Sequence, residues 1–342
     1  MNTDIFHEYR YILKKIDNPM KKHMSLHVLL WSLMIAVSTA SCSGPREALT
    51  GKQTDADRTV RDLQLADQPA YLLFTGKGDP AGYDALLQAA MKSDIILFGE
   101  LHNNPIAHWL RLELARDLHA DTKRSLVIGM EMFEADQQHL LDEYLTGIIR
   151  RRNFEQEARL WSNYATDYRP MLEFARESGI PAIATNIPRR YASLIYHQGP
   201  DSLARLSPEA RNWMAPLPIP VDLKLPGYKR IHEAAMHHGS PYLAHSQASK
   251  DATMAHFIMK QHEEAKPRPV RTLHANGTYH SDNYEGIYWY LRHYRFKGSI
   301  LTISTSQQSV LPPAGRPLPH DHPQLGRADF LLMVPERMTR TH

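Results

Sequence analysis

The strongest constraint on this chain's fold is the repeated alternation of short apolar runs with segments of helical period. YLLFTG at 71–76 reads as an entering strand, YDALLQAAMKS as an amphipathic helix, and IILFG at 95–99 as a buried strand. IAHWLRLELARDLHA then repeats apolar residues at helical spacing, and SLVIGMEMF at 125–133 returns to a buried strand. Strands that alternate with helices in this way pair in parallel, because each crossover helix returns the chain to the same end of the sheet. PAIATN at 181–186, VRTLHANG at 270–277, SILTIST and DFLLMVPE supply further strands, and YEGIYWYLRHY opens a late helix. The predicted fold class is therefore α/β, with a central mostly parallel or mixed sheet flanked by helices. No fixed-period repeat interrupts this layered pattern.

Helical segments dominate from about 136 to 265. QQHLLDEYLTGII, NFEQEARLW and RPMLEFARES precede the strand at 181–186, and helices near 229–237 and 247–264 follow it. Pro216, Pro218, Pro220 and Pro226 punctuate the interval between them. The segment is read as a helical cap or insertion in a domain spanning 70–336, followed by a short tail at 337–342. The alternative is a second domain beginning near 216.

The N-terminal region has a different character. Basic residues at 21–22 precede LHVLLWSLMIAVSTA, and small Thr39, Ala40 and Ser41 lead into Cys42, the sole cysteine of the 342 residues. This order resembles a bacterial lipoprotein signal in which Cys42 is lipidated, with 1–41 as the signal plus a possible upstream extension. A retained N-terminal membrane anchor is the competing reading, and both place the remainder outside the cytosol. Residues 42–69, polar and without period, read as a lipid-attachment point and flexible tether. One cysteine excludes an intramolecular disulfide framework and any multi-cysteine metal cluster. The formal charge of +3 is equally uneven: residues 1–41 hold five Lys/Arg against three Asp/Glu, leaving +1 for the rest. No nucleic-acid partner is expected from such a balance.

Glu100 and His102 in GELHNN lie just past a predicted strand, where α/β folds commonly place functional groups. A second Gly-x-x-His segment, GTYH, ends in His280, and Glu131 in GMEMF is a carboxylate in an apolar strand, where it needs a specific partner. Brought together, Glu100, His102, Glu131 and His280 are candidate ligands of a divalent metal and candidate catalytic groups of a hydrolase, a carboxylate accepting the proton of an activated water. A structural ion-pair network is the competing reading of Glu131. His108, His119, His237 and His238 fall on helices as surface, capping or packing residues. Asn103, Asn104, Asn186, Asn276 and Thr278 are candidates for orienting water or ligand groups, with turn capping as the alternative. Arg189 and Arg190 are candidates for holding a carboxylate or phosphate, a porphyrin propionate included. Tyr279, Tyr284 and the YWY at 288–290 offer an aromatic surface able to support a planar cofactor, with helix packing as the alternative.

GELHNN, GMEMFEADQQ, ATNIPRR, DATMAHF and HANGTYHSDNYEGI, in this order, resemble the ChaN-like haem-binding lipoproteins of the broader TIKI, TraB and erythromycin-esterase-like group. The resemblance spans roughly 70–295 and implies a central α/β sheet with a helical portion over the site. It further implies haem or iron acquisition at the bacterial cell envelope, with outer-membrane attachment, an uptake receptor and haem packed at a homodimer contact. Tyrosine ligation of iron is implied, for which Tyr191 and Tyr279 are the candidates. Related branches use the Gly-x-x-His pair and an acidic residue in metal-dependent hydrolysis, which again selects His102, His280, Glu131 and Glu100. A non-enzymatic surface interaction protein is the third reading.

Overall fold

In the computed structural model, eight strands lie side by side in the order β2-β1-β8-β7-β3-β6-β4-β5. The structure describes residues 69–341, all but the first of them in the compact unit Ala70–His342. The lipobox-like segment, Cys42, the tether, and the side chains of His237 and His238 lie outside the described residues. In chain order the elements are β1 (Leu72–Thr75), β2 (Pro80–Ala81), α1 (Tyr83–Lys92), β3 (Ile95–Glu100), α2 (Pro105–Ala120), β4 (Ser125–Glu134), α3 (Gln138–Leu145), α4 (Arg151–Glu157) and α5 (Arg169–Glu177). They continue with β5 (Ala182–Asn186), α6 (Arg189–Gln198), α7 (Pro208–Arg211), α8 (Pro226–His238), α9 (Leu243–Glu264), β6 (Val270–Gly277), α10 (Ile287–His293), β7 (Ile300–Gln308) and β8 (Phe330–Pro335).

The six strands β3 to β8 pair in parallel, and β1, at the edge, is antiparallel to both of its neighbours, β8 and β2. The sheet is thus mixed, flanked by helices, as the alternating pattern predicts. Strand β5 divides the helical region in two, α3 to α5 before it and α6 to α9 after it, so the cap consists of two helical insertions. No helix among the described residues is long and apolar enough to cross a membrane.

Strand β3 shows why the centre reads as a continuous apolar run. It is hydrogen-bonded on both sides, to β6 and β7, and every residue of it is buried. Two-residue alternation sends Ile96 and Phe98 into the main core, where they meet Leu110, Leu114 and Leu118 of α2. That helix begins where Asn104 Oδ1 accepts the Ala107 amide hydrogen at 3.0 Å and Pro105 occupies the first turn. Capping therefore explains Asn104. Removing each of the three leucines from water contributes roughly 1.5–3 kcal/mol.

Parity along β3 and β4 places their acidic residues on different faces. Glu100 shares the side of Ile96 and Phe98, toward α2. Leu126, Ile128, Met130 and Met132 of β4 also join that core, which leaves Glu131 on the opposite side, toward α9. The β4–β5 register shifts between Met130 and Glu134, so Glu131 sits in a local irregularity instead of a regular rung.

Candidate functional site

The C-terminal ends of β3, β6 and β4 are adjacent, and they bring both Gly-x-x-His segments and Glu131 to one place. Gly99 pairs with Asn276 and Glu100 with Gly277 in the β3–β6 ladder. The two glycines are needed for close approach. A Cβ on Gly277 would lie 2.8 Å from His102 Nε2, and one on Gly99 would lie 2.7 Å from the Ile303 carbonyl oxygen and 3.1 Å from Thr278 Cα. Each Gly-x-x-His segment thus makes room for a part of the other.

Two buried charge clusters meet at this point. On the α2 side, Glu100 Oε1 accepts the Tyr168 hydroxyl at 2.7 Å and lies 3.2 Å from His102 Nδ1. Its Oε2 is paired with the Arg111 guanidinium. Arg111 also donates to His108 Nδ1 at 3.2 Å, and His108 Nε2 lies 3.0 Å from the His102 carbonyl oxygen. These partners fit a neutral imidazole with its proton on Nε2, and burial lowers the His108 pKa in the same sense despite Asp167 nearby. Asn163 donates to the His102 carbonyl and to Asp167, both at 2.6 Å, and Thr341 donates to the same Asp167 oxygen at 2.6 Å.

On the α9 side, His280 is held between two carboxylates. Its Nε2 is 3.2 Å from Glu131 Oε1 and its Nδ1 is 2.5 Å from Asp251 Oδ1. Glu131 Oε2 also accepts the Gly277 amide hydrogen at 2.7 Å, and Asp251 Oδ2 accepts the Tyr228 hydroxyl at 2.6 Å. The Gln247 amide lies 3.0 Å from His280 Nδ1. Burial alone would lower the His280 pKa, but Glu131 and Asp251 outweigh it and raise it to about 10. Burial opposes ionisation of Glu131 as well, yet His280, His102 and the Gly277 amide hold its carboxyl well below the usual range. For Asp251 burial prevails and the pKa rises.

The four residues expected to form one site therefore converge as two pairs, Glu100 with His102 and Glu131 with His280. Among the described residues, no three His, Cys, Asp or Glu side chains are arranged to hold a metal ion. Glu100, Glu131 and His280 are buried, whereas the His102 side chain is 38% exposed and meets Trp161 edge-on at 4.9 Å. His102 is thus the member of the set that reaches solvent, backed by the Glu100 carboxylate, with His280 on the far side of the space that a Cβ on Gly277 would fill. Such an arrangement is suited to acid–base work.

Other expected residues lie farther out or serve the framework. Asn186 donates to the Glu131 carbonyl at 3.1 Å, so it braces the β4 irregularity. Asn276 donates to Ser281 Oγ at 2.9 Å, within the turn. Tyr284 and Tyr290 donate to Asp329 and to the Pro220 carbonyl, and Trp289 stacks on His293, in keeping with helix packing. Arg190 pairs with Asp136 at 2.6 Å and lies over the Tyr191 ring. His108, read as a surface, capping or packing histidine, is instead buried within the Glu100 network. Arg111, Tyr168, Asp251 and Gln247 were not anticipated. The available signal for Arg111 and Asp251 was a charge on the apolar face of a helix, Arg111 beside Ala107 and Ala115, Asp251 beside Ala248, Ala252 and Ala255.

A mixed, mostly parallel α/β sheet with helical insertions and a polar cluster at the C-terminal ends of its central strands defines the structural class. The sequence model for haem-binding uptake proteins of the Tiki superfamily, ChaN, matches residues 86–291. The chain belongs to this ChaN family. A solved structure described as cofacial haem binding to ChaN of Campylobacter jejuni superposes with a TM-score of 0.57 at 16% identity, covering 77% of this chain and 96% of that one, which shows a shared fold. The type III effector HopBA1 (TM-score 0.41, 11% identity, 79% of this chain and 99% of that one) and an open-form variant of the erythromycin esterase EreC (0.39, 13%, 66% and 72%) align more loosely. No curated protein sequence matches the chain.

Proposed function

We propose that the protein is an exported, lipid-anchored haem-binding protein serving haem or iron acquisition at the bacterial cell envelope. The observation that carries this reading is the ChaN family match over 86–291. Lipidation at Cys42, followed by a polar tether, would hold the folded unit at the outer membrane.

The chain's own residues are compatible with haem, whose iron accepts a tyrosine ligand and whose propionates pair with arginine. Tyr191 is half-buried on α6, its hydroxyl 3.3 Å from an Arg190 nitrogen, with the same guanidinium 5.4 Å from the Trp213 ring. Tyr279 is less accessible: its hydroxyl is enclosed, and a Cβ on Gly227 would lie 3.4 Å from it. This favours Tyr191 as the iron ligand, with Arg189 and Arg190 on the first turn of α6 toward the propionates. Bound haem would supply the iron to be carried. Titration of the full chain with haemin is expected to give a saturable Soret change, weakened at least tenfold by Tyr191→Phe. The absence of saturable binding by folded protein would overturn the haem reading, whereas unchanged binding by the variant would overturn only the choice of ligand.

A second reading, hydrolysis, is favoured by one observation: Glu100, His102, Glu131 and His280 converge although 180 residues separate Glu100 from His280. In that reading His102 exchanges a proton with water or substrate, and Glu100 orients its ring.

A further inference from the structure

The turn from α3 to α4 contains Thr146, Gly147, Ile148 and Ile149 and runs straight into three consecutive arginines, Arg150, Arg151 and Arg152. Its shape is fixed from within. Gly147 takes a φ of +79°, the amides of Ile148 and Ile149 donate to the Glu143 carbonyl at 2.9 and 3.2 Å, and Ile149 packs against the main core. At the base Tyr144 of α3 stacks on Phe154 of α4, with ring centroids 4.6 Å apart. With its neighbour anchored inward, Ile148 is held out in solvent. It is 74% exposed, more than any other large apolar side chain among the described residues.

All three arginines are exposed, and among the described residues none of their guanidinium groups has a hydrogen-bond or ion-pair partner. The acidic side chains near them in sequence do not serve them. Asp142 accepts from Gln138 Nε2 at 2.8 Å, Glu155 lies 3.5 Å from Arg169, and Glu143 and Glu157 pair with none of the three. Arg151 and Arg152 also open α4, the end of a helix at which positive charge is disfavoured, and that turn holds no acidic residue. No contact within the fold accounts for the run.

An aliphatic side chain held out on a turn beside unpaired cations fits an anionic bilayer, where arginines meet lipid phosphates and the apolar group enters the layer just below them. A nucleic-acid backbone would satisfy the arginines but leave Ile148 in water. We infer that the α3–α4 turn is a docking tip for an anionic phospholipid surface, with Ile148 inserted and Arg150, Arg151 and Arg152 on the headgroups. Its setting rests on the lipid-anchored reading. The tether at 42–69 spans roughly 30 Å as a coil, which keeps the folded unit at high effective concentration beside the bilayer, so a weak contact suffices to orient it.

Because Cys42 is the sole cysteine, the full chain carrying Cys42→Ser and Thr146→Cys takes one environment-sensitive fluorophore, NBD, beside the tip and keeps Ile148 in place. The probes are phosphatidylcholine vesicles with and without phosphatidylglycerol. The expected result is a blue shift and an emission rise of at least twofold on the anionic vesicles alone, suppressed by high salt. Ile148→Ser should weaken the response at least threefold. Combining Arg150→Gln, Arg151→Gln and Arg152→Gln should abolish it, since each arginine near an anionic surface is worth about fivefold in affinity. All these positions are exposed, and near-UV circular dichroism verifies that the variants are folded. Emission that anionic vesicles leave unchanged, or that changes equally with neutral vesicles or in the triple glutamine variant, overturns the inference. An equally strong response to soluble polyglutamate assigns the arginines to an acidic protein and overturns it as well. The mass of wild-type chain recovered from cells tests acylation of Cys42 separately: an unmodified cysteine with the tip response intact supports the docking tip and overturns the anchored reading alone.

Discussion

Replacing His280 with alanine is expected to destabilise the fold by about 3–5 kcal/mol, because it leaves the buried carboxylates of Glu131 and Asp251 without their shared cation. In a unit of this size the loss corresponds to a fall in Tm on the order of 10 °C. Adding Asp251→Asn should recover part of it, since one of the two orphaned charges is then removed, and the non-additivity of the pair measures their coupling. A pH dependence follows from the same geometry. His280 holds its proton more tightly in the fold, so its contribution is complete below its ordinary value of 6.5 and is lost as pH rises toward about 10. Glu131 holds its proton less tightly, so its contribution is complete above the ordinary 4.5 and is lost on acidification. The pair stabilises wild type most between about 4.5 and 6.5, and that maximum should flatten in His280→Ala. A loss within 1 kcal/mol of zero, by thermal or urea unfolding, would contradict this account of the cluster.

Arg111→Ala is expected to cost a similar amount, about 3–5 kcal/mol, for the mirrored reason. Glu100 is buried, and its neighbour His108 is held neutral, so the guanidinium is the positive charge in direct contact with it. Burial lowers the Arg111 pKa to about 10, which still leaves it charged at neutral pH. Arg111→Lys should recover little, because one ammonium cannot serve both Glu100 Oε2 and His108 Nδ1 from the planar geometry of the fork. Arg111→Met combined with Glu100→Gln should recover most of the stability, because the buried charge is removed together with its partner. Urea unfolding of the four proteins tests this, and equal stability of Arg111→Ala and wild type would show that Glu100 is satisfied without the arginine.

Much of the architecture was legible because periodicity survives in the linear chain. The runs that form β3, β4, β6, β7 and β8 are buried on both faces, as central parallel strands are, although one face of β6 carries Thr272, His274 and Asn276 and one face of β7 carries Thr302 and Ser304. Strand β2 was not legible, since Pro80–Ala81 has neither the length nor the alternation of a strand and gains its place only by pairing with β1. The division of the helical region follows from Ala182–Asn186, whose few residues compete with long helical segments on either side.

The site was legible where backbone geometry dictated it. Gly99, Glu100 and Gly277 end adjacent parallel strands, so the two Gly-x-x-His segments meet once the sheet forms. The supporting groups were harder to find because they come from helices whose rotation about the sheet is set by tertiary packing. Asp251 reaches His280 across 29 residues and Tyr168 reaches Glu100 across 68. A charged residue on an apolar helical face signals a buried partner, but does not say which carboxylate or imidazole will meet it. His108 shows the same ambiguity: its spacing on α2 fits a packing residue equally well until the Glu100 end of β3 is placed beside it.

The most direct test of the central claim is the haem content of the full chain recovered from the envelope of bacterial cells grown with haem. A pyridine haemochrome assay on the purified protein is predicted to give about one haem per chain, with the Soret band diminished in Tyr191→Phe. Folded wild-type protein recovered without haem, and unable to take it up on titration, would contradict it.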